Sequence, residues 1–95
     1  LSGTIGLQDG QVPESAEEEA RLVIESMKST LEAAGLTMDD LVSVQVFCSD
    51  VDLYDIFNNV YRTYFTGNFP ARAFVGSGAL LYGARWEVQG IASRN

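Results

Sequence analysis

Leu41-Val42-Ser43-Val44-Gln45-Val46-Phe47-Cys48 decides how this 95-residue chain is built. Val42, Val44, Val46 and Cys48 fall at every second position, with Ser43, Gln45 and Phe47 between them. A period of two is the mark of a strand with one face on a core. Helical patterns flank it on both sides. Upstream, Ala16, Ala20, Val23, Ile24, Met27, Leu31 and Ala34 recur at steps of three and four, an amphipathic stripe. Ser15 with Glu18 reads as a capping box, and Glu17-Glu18-Glu19 reads as a solvated start that matches the helix dipole. Gly35 is the expected left-handed stop, with Leu36 packing back.

Downstream, a second helix is predicted from about Asp52 to Phe65, with Asp55 in its first turn. Its apolar stripe is Leu53, Phe57, Val60, Tyr61 and Tyr64. Residues 71–78 and 85–93 read as two further strands around a turn at 80–83, and residues 1–7 as an opening strand. The order β-α-β-α-β-β predicts an α+β fold, a mixed sheet with both helices on one face. The chain reads as a single domain over residues 1–95 whose first strand is already under way at Leu1.

Composition narrows the chemistry. Thirteen acidic residues against six basic ones give a net charge of −7, which argues against a nucleic-acid or anionic-membrane surface. With no histidine and one cysteine, zinc clusters, Ser-His-Asp triads, Cys-His dyads and an internal disulfide are excluded together. Cys48 shares its face with three valines and reads as a buried, inert thiol. Gly76-Ser77-Gly78 leads into no helix, so it is not a phosphate loop. No apolar run approaches the roughly 20 residues of a membrane span, and the cytoplasm is the default location.

Two charged residues stand out on strands otherwise poor in charge: Arg72, after Pro70-Ala71, and Glu87, within Trp86-Glu87-Val88. Arginine grips a carboxylate with a rigid fork, and glutamate can orient or deprotonate water. By alternation, Arg72, Phe74, Gly76 and Gly78 share one side of their strand, and Glu87, Gln89 and Ile91 one side of theirs. Trp86, Val88, Gly90 and Ala92 would take the helices, which leaves Arg72 and Glu87 facing away from them under the cover of another subunit. From spacing alone, an ordinary ion pair across a hairpin explains the two residues equally well. Asn58, on the second helix, reads as a structural hydrogen bond to a nearby loop, and the aromatic stripe as core.

Six blocks in order carry a resemblance. They are Ser2-Gly3-Thr4-Ile5-Gly6, Leu31-Glu32-Ala33-Ala34-Gly35-Leu36, Val46-Phe47-Cys48-Ser49-Asp50, Asn58-Asn59-Val60-Tyr61 with Tyr64-Phe65, Pro70-Ala71-Arg72, and Trp86-Glu87-Val88-Gln89-Gly90-Ile91-Ala92. Together they resemble the Rid family (reactive intermediate deaminase A, YjgF/YER057c/UK114), also labelled endoribonuclease L-PSP. The resemblance implies a chorismate-mutase-like fold of the bacillus type and a homotrimer whose sheets line a central barrel, with ligand clefts between subunits. It implies cofactor-free hydrolysis of enamine or imine intermediates such as 2-aminoacrylate to a keto acid and ammonia. Arg72 falls on the family's carboxylate arginine and Glu87 on its water-site glutamate; Ser2, Gly3 and the main chain near Phe74 line the same cleft. The family's N-terminal hairpin has no counterpart here, and Phe74 stands where a cysteine or other small residue is common. The usual Leu-Pro of the last turn is Leu80-Leu81, and Gln89 replaces a second glutamate. Two other functions stay open at this point: a non-catalytic trimer that binds or senses small carboxylates, and an endoribonuclease-type translation inhibitor. The acidic balance and the missing histidine weigh against the second.

Overall fold

A computed structural model describes residues 3–66 and 69–93. The strand Leu41–Cys48 (β1) is central in a three-stranded sheet. The strand Ala71–Gly76 (β2) pairs with it in parallel, from Ser43 opposite Ala71 to Cys48 opposite Gly76. On its other side the strand Trp86–Ala92 (β3) runs antiparallel, from Leu41 opposite Ala92 to Cys48 opposite Trp86. The expected neighbours in a hairpin, β2 and β3, are therefore separated by β1. A parallel β1–β2 pair needs a helical crossover, and the helix Tyr54–Tyr61 (α2) supplies it.

The opening segment forms no named strand among the described residues. Thr4 makes one antiparallel bridge on the outer edge of β3, exchanging backbone hydrogen bonds of 2.9 and 3.0 Å with Val88.

Alternation in β1 breaks at one place. Leu41 is buried, Val42 is 47% exposed, and Val44, Val46 and Cys48 are buried. The register slips between Leu41 and Ser43, so the extra residue of a bulge turns Val42 outward. Simple alternation put Val42 in the core; the bulge gives that place to Leu41.

The long helix Ala16–Ala33 (α1) follows its sequence signals closely. The Ser15 hydroxyl accepts from the Glu18 amide, while the Glu18 carboxylate turns instead to Arg21 at 2.6 Å. Gly35 (φ 77°) ends the helix, and the Leu36 amide reaches back to the Leu31 carbonyl at 2.8 Å. Ala20, Val23, Ile24, Met27 and Leu31 are buried against Phe57, Val60 and Tyr61 of α2 and against Val44, Val46, Trp86 and Val88. Phe57 ties the layers together, its ring 5.3 Å from Trp86 and 5.9 Å from Phe74. The Asp50 carboxylate caps the short turn ahead of α2 by accepting from the Asp52 amide at 3.0 Å. Cys48 is buried, as its alternation predicts, and burial pushes its thiol pKa up.

Glu19 departs from the solvated reading. Its side chain is 0% exposed and pairs with Arg85 at 2.7 Å, while its second oxygen accepts from the Arg85 amide at 2.8 Å. Arg85 also donates to the carbonyls of Pro13 and Glu14. One buried carboxylate thus fastens α1, the segment before it, and the start of β3. Among the described residues no helix is long and apolar enough to cross a membrane.

Candidate functional site

Paired residues in a sheet point to the same side, so register fixes where each candidate stands. Arg72 is opposite Val44 and Phe74 opposite Val46, both on the buried face of β1. Arg72 and Phe74 therefore lie on the helix side, contrary to the expectation that they face away from it. Glu87 is opposite Phe47, on the other side, where Ile91 is 63% exposed. The two candidate residues occupy opposite faces of one sheet, with β1 between their strands. An ion pair across a hairpin is excluded; Arg72 has a different partner.

That partner is Asn58, whose side-chain oxygen accepts from Arg72 Nη1 at 2.5 Å. It was expected to bond to a loop. Aromatic rings enclose the rest of the guanidinium: its carbon lies 4.8 Å from the centre of the Tyr61 ring, 5.4 Å from Phe74 and 5.8 Å from Tyr54. Tyr54 and Phe74 meet edge to face at 4.8 Å. Such rings attract a cation without quenching its charge, and a neutral amide oxygen fixes its plane without neutralising it. Among the described residues no carboxylate lies within ion-pair distance of Arg72, in a chain with thirteen acidic residues. Its charge is left for something else.

Tyr54, Asn58 and Tyr61 fall at positions i, i+4 and i+7 of α2, one face of the helix aimed at β2. That spacing is the signal for Asn58 and Tyr54, and it is hidden because Tyr61 also belongs to the stripe Leu53, Phe57, Val60, Tyr61 and Tyr64 that reads as core. Tyr61 is core by burial, at 5% exposed, yet its hydroxyl has no hydrogen-bond partner among the described residues. Burial raises its phenol pKa, with the Arg72 charge pulling the other way. Asn58, Tyr61, Arg62, Phe69, Pro70 and Arg72 line a cavity of about 290 Å³.

On the other face, Glu87 is half-buried and lies against the backbone of Gly3. A Cβ added at Gly3 would come within 3.0 Å of the carboxyl carbon of Glu87 and 3.3 Å of its Cγ. Glycine leaves the space that the carboxylate fills. Gly3 therefore lies against Glu87, while Ser2 lies outside the described residues. Phe74 offers its ring to Tyr54 and Phe57, and its backbone belongs to β2, an edge strand of the sheet. Among the described residues no group of three or more His, Cys, Asp or Glu is placed to hold a metal ion.

Comparison with known proteins agrees with this architecture. A family model described as Endoribonuclease L-PSP matches residues 1–94. The rat 2-iminobutanoate/2-iminopropanoate deaminase is 38% identical over 95 residues, an alignment covering 97% of this chain and 69% of that protein. The crystal structure of Escherichia coli TdcF with bound serine superposes with a TM-score of 0.93 at 31% identity, covering 99% of this chain and 78% of that one. The structure of RidA from the Antarctic bacterium Psychrobacter gives 0.91 at 30% identity, covering 97% and 76%. With a family model matched over residues 1–94 and a relative 38% identical over nearly the whole chain, the chain belongs to the endoribonuclease L-PSP family, the Rid group that its motifs resemble.

Proposed function

We propose that this chain hydrolyses reactive enamine and imine intermediates of the 2-aminoacrylate type, giving 2-oxo acids and ammonia. Arg72 holds the substrate carboxylate through two parallel charge-assisted hydrogen bonds, which orient the C=N carbon for attack. Glu87 orients a water and takes its proton as the oxygen bonds to that carbon and the C=N electron pair moves to nitrogen. Glu87 returns that proton to the nitrogen, the hydroxyl proton follows it as the C–N bond breaks, and ammonia leaves as the carbonyl forms. The sum is imine plus water to oxo acid plus ammonia, with no redox change.

The observation that carries this reading is Arg72: held by a neutral asparagine and three aromatic rings, open to a cavity, and without a carboxylate partner among the described residues. The name of the rat relative supports the reaction, and serine, an amino acid bound by TdcF, supports the ligand class. Arg72 and Glu87 act on one substrate only if different copies contribute them, because they stand on opposite faces of the sheet. A homotrimer with its sites between subunits meets that requirement. It also covers the open sheet face, where Val75 and Ile91 are exposed beside Glu87.

The test is ammonia release from imines made in situ by an amino-acid oxidase. Wild type is expected to accelerate it, and Arg72→Ala to remove the acceleration with the circular dichroism spectrum retained. Equal rates for the two proteins would overturn the assignment.

A further inference from the structure

The cavity beside Arg72 has a second cation on its wall. Arg62 lies just past the end of α2, exposed, and its guanidinium donates to the side-chain oxygen of Asn59. Among the described residues the ion-paired arginines are Arg21 and Arg85; Arg62 and Arg72 have neutral asparagine partners instead. Two guanidinium groups free of carboxylates thus share one cavity, in a chain with thirteen acidic and six basic residues. Each fork has a neutral amide oxygen to set its orientation, and each keeps donors for an anion.

Two cations on one wall fit a ligand with two anionic ends. The cavity, about 290 Å³, sits at the lower edge of the roughly 300–1,000 Å³ typical of small-molecule sites, so it suits a short metabolite. Tyr61 lines the same wall, its ring against the Arg72 guanidinium. We infer that the site selects dicarboxylic substrates, 2-imino acids with a second carboxylate on the side chain, with Arg72 holding the α-carboxylate and Arg62 the distal one. This inference rests on the reading of Arg72 given above and specifies the substrate class of the same site. The chain's net charge of −7 repels a dianion at long range, but at physiological salt that field is screened beyond about 8 Å, whereas contacts inside the cavity are not.

Calorimetric titration of the intact protein with 2-oxoglutarate and with 2-oxopentanoate, equal in chain length, tests the point. Wild type is expected to bind 2-oxoglutarate about tenfold more tightly, the size of one charge-assisted hydrogen bond at a partly exposed site. Arg62→Gln, an exposed substitution, is expected to bring the ratio of the two affinities close to one. A wild-type ratio of one, or a preference that survives Arg62→Gln, overturns the dicarboxylate inference. In either case, 2-oxopentanoate binding that is lost in Arg72→Ala leaves the deaminase reading standing. If neither ligand binds wild type, the dicarboxylate inference fails, and ammonia release from imines decides the deaminase reading separately.

Discussion

Arg72 and Glu87 stand on opposite faces of one sheet, Arg72 opposite Val44 under the helices and Glu87 opposite Phe47 on the open side. No side-chain rotation brings them together across β1. If both act on one substrate, each site takes its arginine from one copy and its glutamate from another. Arg72→Ala and Glu87→Gln proteins should then be inactive alone and recover activity when unfolded together and refolded. Random assembly restores about a quarter of the wild-type sites, since each intact site needs the right variant on both sides of an interface. Absence of recovery in a sample whose mass shows mixed assembly would rule out sites shared between copies.

Gly3 and Glu87 give a second prediction. A methyl group at residue 3 must displace the Glu87 carboxylate, whose carbon would lie 3.0 Å away. The carboxylate is the end of a flexible side chain on the open face, so the fold should survive. A displacement of about 1 Å at a group that positions water costs on the order of a hundredfold in rate. Gly3→Ala should therefore lower kcat by roughly ten- to a hundredfold with little change in Tm. Steady-state kinetics beside a thermal melt would check this, and a kcat equal to wild type would remove Glu87 from the water site.

Local signals in this sequence were legible, and long-range ones were not. Ser15, Gly35 and Leu36 set the ends of α1 through bonds within four or five residues, so the sequence contains them. Strand order depends on which segments meet after the crossover, and nothing in residues 71–93 states that β1 lies between β2 and β3. Alternation sorts Arg72 and Phe74 from Ala71, Ala73 and Val75 but does not say which set meets the helices. Grouping Arg72 with Glu87, opposite the side of Trp86 and Val88, put it on the outside. The stripe Tyr54-Asn58-Tyr61 made the inside tolerable, because aromatic faces and an amide oxygen hold a guanidinium. Glu19 carries a local signal for burial: it lies three residues after Ala16 and four before Val23, on the buried stripe of α1.

The Glu19–Arg85 pair should be a main support of the fold. Glu19 is wholly buried and accepts from both the side chain and the amide of Arg85. Removing one member of a buried pair leaves the other charge unmatched, at a cost of about 3–5 kcal/mol. Because Arg85 keeps the Pro13 and Glu14 carbonyls and is partly exposed, the low end applies, about 3 kcal/mol for Glu19→Ala. Glu17→Ala, which breaks an exposed pair with Arg21, should cost less than about 1 kcal/mol. Urea unfolding of the two variants side by side checks the contrast, and equal midpoints would mean that Glu19 is solvated in solution.

Tyr64 provides a prediction in alkaline solution. Its hydroxyl donates to the Glu25 carboxylate at 2.6 Å, joining the short turn after α2 to α1. Burial first, and the hydrogen bond to Glu25 second, push the phenol pKa from 10 up to about 12. The folded state thus holds this proton more tightly than the unfolded chain does. Its contribution is complete below pH 10 and is lost as pH rises from 10 through about 12, because in that window the unfolded state has released a proton that the folded state retains. Tyr64→Phe lacks both the bond and the proton. Wild type should be the more stable protein at pH 8, and its advantage over Tyr64→Phe should shrink steadily above pH 10. The measurement is the urea midpoint of each protein at intervals from pH 8 to the alkaline limit of folding. A constant difference across that range would show that the Tyr64–Glu25 bond does not couple to folding.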